Sequence, residues 1–119
     1  MNETVERPWG RYTVIEEAAG YKVKRMEIKP FQRVSLQRHK IRNETWTVIL
    51  GKAKVVKGEK EILLNVNDSV LIPKNTIHRI ENIGNTLLRF IEVQTGQYLG
   101  EDDEERLEDD YGRKGTREI

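Results

Sequence analysis

The residues that could do chemistry in this 119-residue chain lie in two separate stretches. The first holds Gln37, His39 and Glu44, and the second holds His78, so both histidines of the chain are included. Gln37 and His39 are two positions apart and would face the same way on a strand, and a turn after Lys40 would return Glu44 beside them. Imidazoles, a carboxylate and an amide carbonyl are all donors to divalent cations. We therefore predict a metal site formed by Gln37, His39, Glu44 and His78.

Two nitrogen and two oxygen ligands leave positions open for water or substrate, which is typical of a catalytic metal site. The chain has no cysteine, so thiolate zinc sites, disulfides and cysteine nucleophiles are excluded. Zinc is the expected ion, with manganese, cobalt, nickel and iron as alternatives. A single histidine on a strand is more often a core or surface residue than a ligand. The prediction therefore depends on all four donors converging.

Short apolar runs separated by turn residues indicate that strands must position these donors. The runs are rich in Val, Ile, Thr and aromatic residues, and Gly, Pro and Asn separate them. Repeated short strands of this kind are typical of an all-β sandwich or barrel. The alternation breaks between Val23 and Met26, which permits a β-bulge there. The predicted strands are residues 12–15, 21–28, 45–50, 53–56, 61–64, 70–72 and 87–93.

Charge is distributed unevenly along the chain. Charged residues make up 34% of it, yet the net charge is only +1, which argues against nucleic-acid or membrane partners. We see no signal peptide and no membrane-length apolar run, so we expect a cytoplasmic protein. Residues 101–110 carry eight acids and one arginine. This segment is either a solvated surface segment or a tail that pairs with basic residues of the barrel or of a partner subunit.

Longer motifs resemble known families. The run from His39 through Glu44 to Gly51 and the run from Pro73 to Asn82 resemble the two motifs of cupin barrels. R-P-W-G-R-Y at 7–12, R-x-E-x-W at 42–46, H-R-I-E-N at 78–82 and I-E-V-Q-T-G-Q-Y-L-G-E-D-D at 91–103 resemble the C-terminal domain of type II mannose-6-phosphate isomerases. The resemblance implies an all-β fold, a single cupin (jelly-roll β-barrel) domain over residues 1–119, with an acidic C-terminal segment at about 100–119.

In that family the domain is usually fused behind a mannose-1-phosphate guanylyltransferase, and here we expect a free-standing domain. The resemblance implies a metal-dependent isomerase that interconverts mannose 6-phosphate and fructose 6-phosphate by moving a proton between C1 and C2. The alternative is a non-catalytic metal-containing cupin that binds a sugar phosphate or acts as a regulatory module. An iron cupin oxygenase is disfavoured because its usual ligands include more histidines. A homodimer is expected from the resemblance to small cupins.

The reaction needs a base for the proton and cations for the phosphate. Arg79 directly follows His78, so on an extended segment the two would point to opposite faces. Trp46 shares a strand face with Glu44, which predicts either a core position or a wall of the pocket. Asp102 is a further candidate base, and each acid could equally be a surface charge. The predicted catalytic set is Glu92, Glu101 and Arg106, and the predicted substrate-binding set is Lys24, Arg25 and Arg79.

Overall fold

The computed structural model describes residues 2–113, and within them the chain forms eleven β-strands and one 3₁₀ turn, η1 (Glu101–Asp103). Each of the seven predicted strand ranges overlaps an observed strand, while β1, β4, β9 and β11 are additional. The strands are β1 (Glu3–Arg7), β2 (Gly10–Ala18), β3 (Tyr21–Ile28), β4 (Leu36–His39), β5 (Arg42–Leu50), β6 (Ala53–Lys57), β7 (Lys60–Leu64), β8 (Ser69–Ile72), β9 (His78–Asn82), β10 (Leu88–Gly96) and β11 (Glu104–Glu108).

These strands form two antiparallel sheets around one interior. The first sheet has the order β1-β2-β3-β10-β5-β8, and the second has the order β11-β4-β9-β6-β7. Alternate residues of β5 and β10 are buried, so the inward face of the first sheet supplies Val48 and Phe90 to an apolar core. The predicted all-β class is confirmed. Among the described residues no helix is long and apolar enough to cross a membrane.

Part of the interior is polar rather than apolar. In β3 the side chains of Lys22, Lys24 and Met26 are all buried in regular alternation, so β3 has no bulge between Val23 and Met26. The register instead shifts in β2, opposite Val23. The apolar pattern of β3 breaks because lysines occupy inward positions that strand periodicity assigns to apolar residues. Inward lysines indicate that negative groups lie in the same interior.

The acidic C-terminal segment folds onto the barrel. Strand β11 pairs antiparallel with β4, and Glu101 pairs with the buried ammonium of Lys24. Arg38 of β4 binds Glu105 of β11 at 2.6 Å, and the carboxylate of Asp103 accepts backbone N–H groups from the β4–β5 turn. Of the two alternatives for this segment, pairing with basic residues of the same barrel is the one that the described residues show.

A buried carboxylate holds β3 against its neighbours. Glu27 is 2% exposed and accepts hydrogen bonds from Nε of Arg11 on β2 and Nη2 of Arg89 on β10, both at 2.8 Å. Burial by itself would raise the pKa of Glu27, but the hydrogen bonds from Arg89 and Arg11 outweigh it and lower the pKa. A carboxylate whose pKa is lowered by folding stabilises the folded protein at pH values above its ordinary pKa. This contribution is lost as the pH falls through the folded-state pKa.

We expect Glu27→Gln to lower the free energy of unfolding at pH 7 by about 1–2 kcal/mol, because charge-assisted hydrogen bonds are lost while the half-exposed arginines regain water. The difference from the wild-type protein should shrink as the pH falls below 4.5, the ordinary value for this group. Urea unfolding at several pH values measures the difference in the free energy of unfolding between the two proteins. Glu59→Gln, in the exposed β6–β7 turn, is the matched control. Equal stabilities of wild type and Glu27→Gln at pH 7 would contradict this assignment.

Candidate metal centre

Three buried side chains from the two sheets meet between them. His39 ends β4, Glu44 lies on β5, and His78 begins β9. One potential ligand atom from each of the three lies within 4.8 Å of the others, and all three are at most 3% exposed. Glu44 lies between the imidazoles, with Oε2 3.2 Å from Nε2 of His39 and Oε1 4.0 Å from Nε2 of His78. The structure thus brings together three of the four predicted ligands.

Both imidazoles have the chemistry of metal ligands. Nδ1 of His78 lies 2.8 Å from the carbonyl oxygen of Thr76, and donation to it leaves the lone pair on Nε2, which is buried without a hydrogen-bond partner. Burial, the Arg42 charge and His78 lower the pKa of His39 to about 2, and burial lowers the pKa of His78. Both rings are therefore neutral at physiological pH, as metal ligation requires.

The fourth predicted ligand, Gln37, lines a cavity together with His39 and Glu44 and lies opposite His78 in the β4–β9 pairing. Its amide nitrogen donates to the carbonyl oxygen of Ser35 at 3.3 Å. Any contribution of Gln37 to a cation therefore comes from its carbonyl oxygen. The donor set fits a divalent cation, with two neutral nitrogens, one carboxylate and one weaker oxygen donor.

A second carboxylate lies beside the cluster. The indole N–H of Trp46 donates to Oε1 of Glu44 at 3.2 Å and to Oε1 of Glu92 at 2.9 Å. Gln94 donates to the other oxygen of Glu92 at 2.7 Å. Burial and the neighbouring charge of Glu44 raise the pKa of Glu92 to about 7. Trp46 thus both packs in the core and walls the site.

Glu44 itself stays ionised because of Arg42. Burial alone would raise the pKa of Glu44, but the guanidinium of Arg42 outweighs burial and lowers the pKa. Nε of Arg42 donates to Oε2 of Glu44 at 2.8 Å, and both side chains are almost completely buried. Two carboxylates in one pocket therefore differ, because Glu44 accepts a hydrogen bond from a buried guanidinium, whereas the donors to Glu92, Trp46 and Gln94, are neutral.

The cavity above the cluster opens to solvent, and its empty space of about 500 Å³ includes the solvent at its mouth. Of the predicted charged residues, Lys24, Glu92, Glu101 and Arg106 line it. The ammonium of Lys24 lies 4.1 Å from the ring centroid of Tyr12 and pairs with Glu101. Burial opposes the charge of Glu101, but Lys24 and Arg42 outweigh it and lower the pKa of Glu101.

The other predicted charged residues lie away from the cavity. Arg25 is 41% exposed and contacts Thr13 and Glu27 on the outer surface. Arg79 points to the face opposite His78, where Nε donates to the carbonyl oxygen of Val34. Asp102 is exposed beside Tyr98. Strand alternation places Arg25 and Arg79 outside the pocket, so their predicted role in substrate binding gains no support from their positions.

Sequence reasoning assigned no role to Arg42 or Gln94, although both are buried beside the ligands. Each had a detectable signal, because Arg42 is two residues before Glu44 and Gln94 is two residues after Glu92. On a strand this spacing places them on the same face as the carboxylate. What the spacing does not show is that a charged guanidinium is accommodated there.

Solved structures with the same architecture define the class. CapF of Staphylococcus aureus superposes with a TM-score of 0.75 at 23% identity, covering 91% of this chain and 34% of that chain. A protein of Rhodospirillum rubrum described as a cupin-2 domain superposes with a TM-score of 0.73 at 15% identity, covering 83% of this chain and 72% of that one. The chain has the cupin fold, as predicted.

Sequence comparison identifies the family. The model of the mannose-6-phosphate isomerase C-terminal family matches residues 1–109, and the chain belongs to that family. It is 49% identical over 109 residues to the xanthan biosynthesis protein XanB of Xanthomonas campestris and to the alginate biosynthesis protein AlgA of Pseudomonas aeruginosa, and it is 46% identical over 112 residues to the mannose-1-phosphate guanylyltransferase RfbM of Salmonella typhimurium. The matches cover 92–94% of this chain but only 23% of each relative.

We expect His39→Ala and His78→Ala each to reduce bound metal from about one ion per chain to near none, because each substitution removes an imidazole ligand. Elemental analysis after dialysis measures the content, and circular dichroism checks that the strands remain. Gln37→Ala, which removes the weaker donor, should retain more metal than either histidine variant. Stoichiometric metal in both histidine variants would show that the ion binds elsewhere.

In protein stripped of metal by a chelator, we expect the carboxyl of Glu92 to titrate near pH 7. Glu44→Gln should lower the pKa of Glu92 part of the way towards its usual value, since a like charge is removed while burial remains. Carbon-13 NMR of the glutamate carboxyls against pH measures both. An unchanged pKa of Glu92 in Glu44→Gln would mean that the charge of Glu44 is not a cause.

Proposed function

We propose that this chain is a metal-dependent isomerase that interconverts mannose 6-phosphate and fructose 6-phosphate. The observation that carries the proposal is Glu92, a buried carboxyl with a pKa of about 7 beside a His–Glu–His cluster in an open cavity. Membership of the mannose-6-phosphate isomerase C-terminal family supports the same reaction. Because the chain spans about a quarter of the relatives that it matches, the activity is proposed from its own site.

Glu92 is the best placed general base. Aldose–ketose exchange requires one group to take a proton from one carbon and return it to its neighbour, and such a group works best with a pKa near the operating pH. Glu92 meets this requirement, and hydrogen bonds from Trp46 and Gln94 hold its carboxyl in one orientation. Glu101 is a weaker base because Lys24 and Arg42 lower its pKa.

The phosphate of the substrate would bind the cations of the cavity wall. Arg106 lies on β11 opposite Gln37 and is 5% exposed, and Lys24 is 2% exposed on the other sheet. Both pair with carboxylates, Arg106 with Glu104 at 2.9 Å and Lys24 with Glu101. A dianionic phosphate would compete with these single carboxylates, and Arg106 offers it a planar pair of donors.

A divalent cation held by His39, Glu44 and His78, with Gln37 as a further oxygen donor, would polarise the sugar carbonyl and so acidify the adjacent C–H. The residues around that position exclude bulk water, since the cluster is almost completely buried. Exclusion of water would strengthen the interactions that stabilise the negative charge developing on the sugar oxygen. The homodimer and the cytoplasmic location remain predictions.

With zinc or manganese added, we expect the purified chain to interconvert the two hexose phosphates and Glu92→Gln to lower kcat by about 10²–10⁴-fold, because an amide cannot accept the proton. Metal content should be unchanged in that variant, and Glu101→Gln should lose less activity. The rate should fall as the pH drops through a value at or below about 7, since the base must be ionised and a nearby cation would lower its pKa further.

Isotope exchange separates catalysis from binding alone. In deuterated water an active isomerase incorporates solvent deuterium at C1 or C2, which NMR detects without any need for net turnover. Saturable binding of mannose 6-phosphate with no label in the sugar, for several metals, would favour the non-catalytic cupin instead.

A further inference from the structure

Arg42 occupies an unusual place for a charged side chain. It is 3% exposed and lies between two of the proposed metal ligands. Its Nε donates to Oε2 of Glu44 at 2.8 Å, and its Nη2 lies 3.3 Å from Nε2 of His39. Because a guanidinium only donates hydrogen bonds, the second contact is a hydrogen bond in the tautomer of His39 that has its lone pair on Nε2 and its proton on Nδ1.

This contact conflicts with metal binding. The Nε2 atom of His39 has one lone pair, and Nη2 of Arg42 already binds it. A cation bound by His39 and Glu44 needs the same lone pair and would lie within a few ångströms of a buried positive charge. Like charges at such a separation in a poorly solvated interior repel strongly. The guanidinium and the metal therefore cannot both hold His39.

We propose that Arg42 is an internal competitor of the metal. In the metal-free protein its guanidinium balances the negative charge of Glu44, and it must move away from His39 before a divalent cation binds. The inference rests on the metal site of the proposed function and adds a positioning residue to it. Arg42 lowers the metal affinity of the cluster, so that its ion exchanges more readily than the two imidazoles and the carboxylate alone would allow.

The structure also contains an acceptor for the displaced guanidinium. Nη1 of Arg42 is buried without a hydrogen-bond partner and lies 3.9 Å from Oε2 of Glu101. Lys24 binds the other oxygen, Oε1, so Oε2 remains for Arg42. A small rotation of the guanidinium towards Glu101 would exchange its contact with His39 for an ion pair. Glu101 is therefore expected to favour metal binding by holding Arg42 aside.

Zinc affinity measured by competition with a chromophoric chelator tests the proposal. We expect Arg42→Gln to bind zinc more tightly than the wild-type protein, by on the order of tenfold or more, because the competing charge is removed. Arg42→Lys, which retains the charge, should stay close to wild type. Arg38→Gln is the matched control, since Arg38 pairs with Glu105 on β11 and does not line the cavity. An unchanged or weaker affinity in folded Arg42→Gln overturns the proposal.

Two measurements do not depend on that variant folding. Glu101→Gln by itself should weaken zinc binding, because the displaced Arg42 then loses its alternative partner. Where Arg42→Gln folds, the loss caused by Glu101→Gln should be smaller in the double variant. In the wild-type protein, the Nε–H resonance of Arg42 should shift when zinc saturates the site, because its hydrogen bond to Glu44 changes. A resonance unmoved by bound zinc overturns the displacement. Absence of zinc binding by both wild type and Arg42→Gln would instead remove the metal site itself, and the inference with it.

Discussion

Two carboxylates buried between the sheets are the constraint on which the site depends. A carboxylate taken out of water is costly unless charge or hydrogen bonds compensate it. Arg42 and Trp46 stabilise the ionised form of Glu44, whereas the hydrogen bonds that Glu92 accepts from Trp46 and Gln94 come from neutral donors. The difference in compensation leaves one carboxylate charged and the other partly protonated near pH 7. One pocket thus contains both a potential ligand and a potential base.

The pairing registers of the strands place these groups. In the first sheet Glu92 lies opposite Trp46, and Gln94 lies opposite Glu44, so the carboxylates and their donors form adjacent rows. The second sheet brings Gln37 opposite His78. Neither sheet contains the whole donor set, since the imidazoles come from one and the carboxylates from the other. Packing of the sheets is therefore what assembles a candidate metal centre.

The acidic segment after β10 completes the wall of the cavity. Its η1 turn brings Glu101 to Lys24 and Arg42, and β11 sets Glu104 opposite His39 and Arg106 opposite Gln37. Acids that would repel one another in an extended tail instead offset the basic excess of the barrel. Their charge reaches the site because the interior screens it less than water does. The segment therefore belongs to the electrostatics of the site.

Much of this arrangement could be predicted from residue types and spacing. Val, Ile and Thr runs with intervening turns determined the strands, and the two-residue spacing of Gln37 and His39 determined their shared face, because side chains alternate along a strand. The long motifs indicated the cupin fold and the family. The short polar strands β4, β9 and β11 lacked an apolar pattern and were not predicted. In β3 the inward lysines interrupt the apolar alternation, so a regular strand was interpreted as one that could contain a bulge.

Tertiary structure alone decided which groups surround each charge. Periodicity states which face a residue occupies, but not which sheet, register or distant segment lies against that face. For this reason sequence reasoning could not place Glu101 beside Lys24, 77 positions apart, or distinguish the pKa of Glu92 from that of Glu44. It also could not recognise Arg42 as the counter-ion of the site. These properties arise from burial and from neighbours far away in the chain, which only the packing of the two sheets brings together.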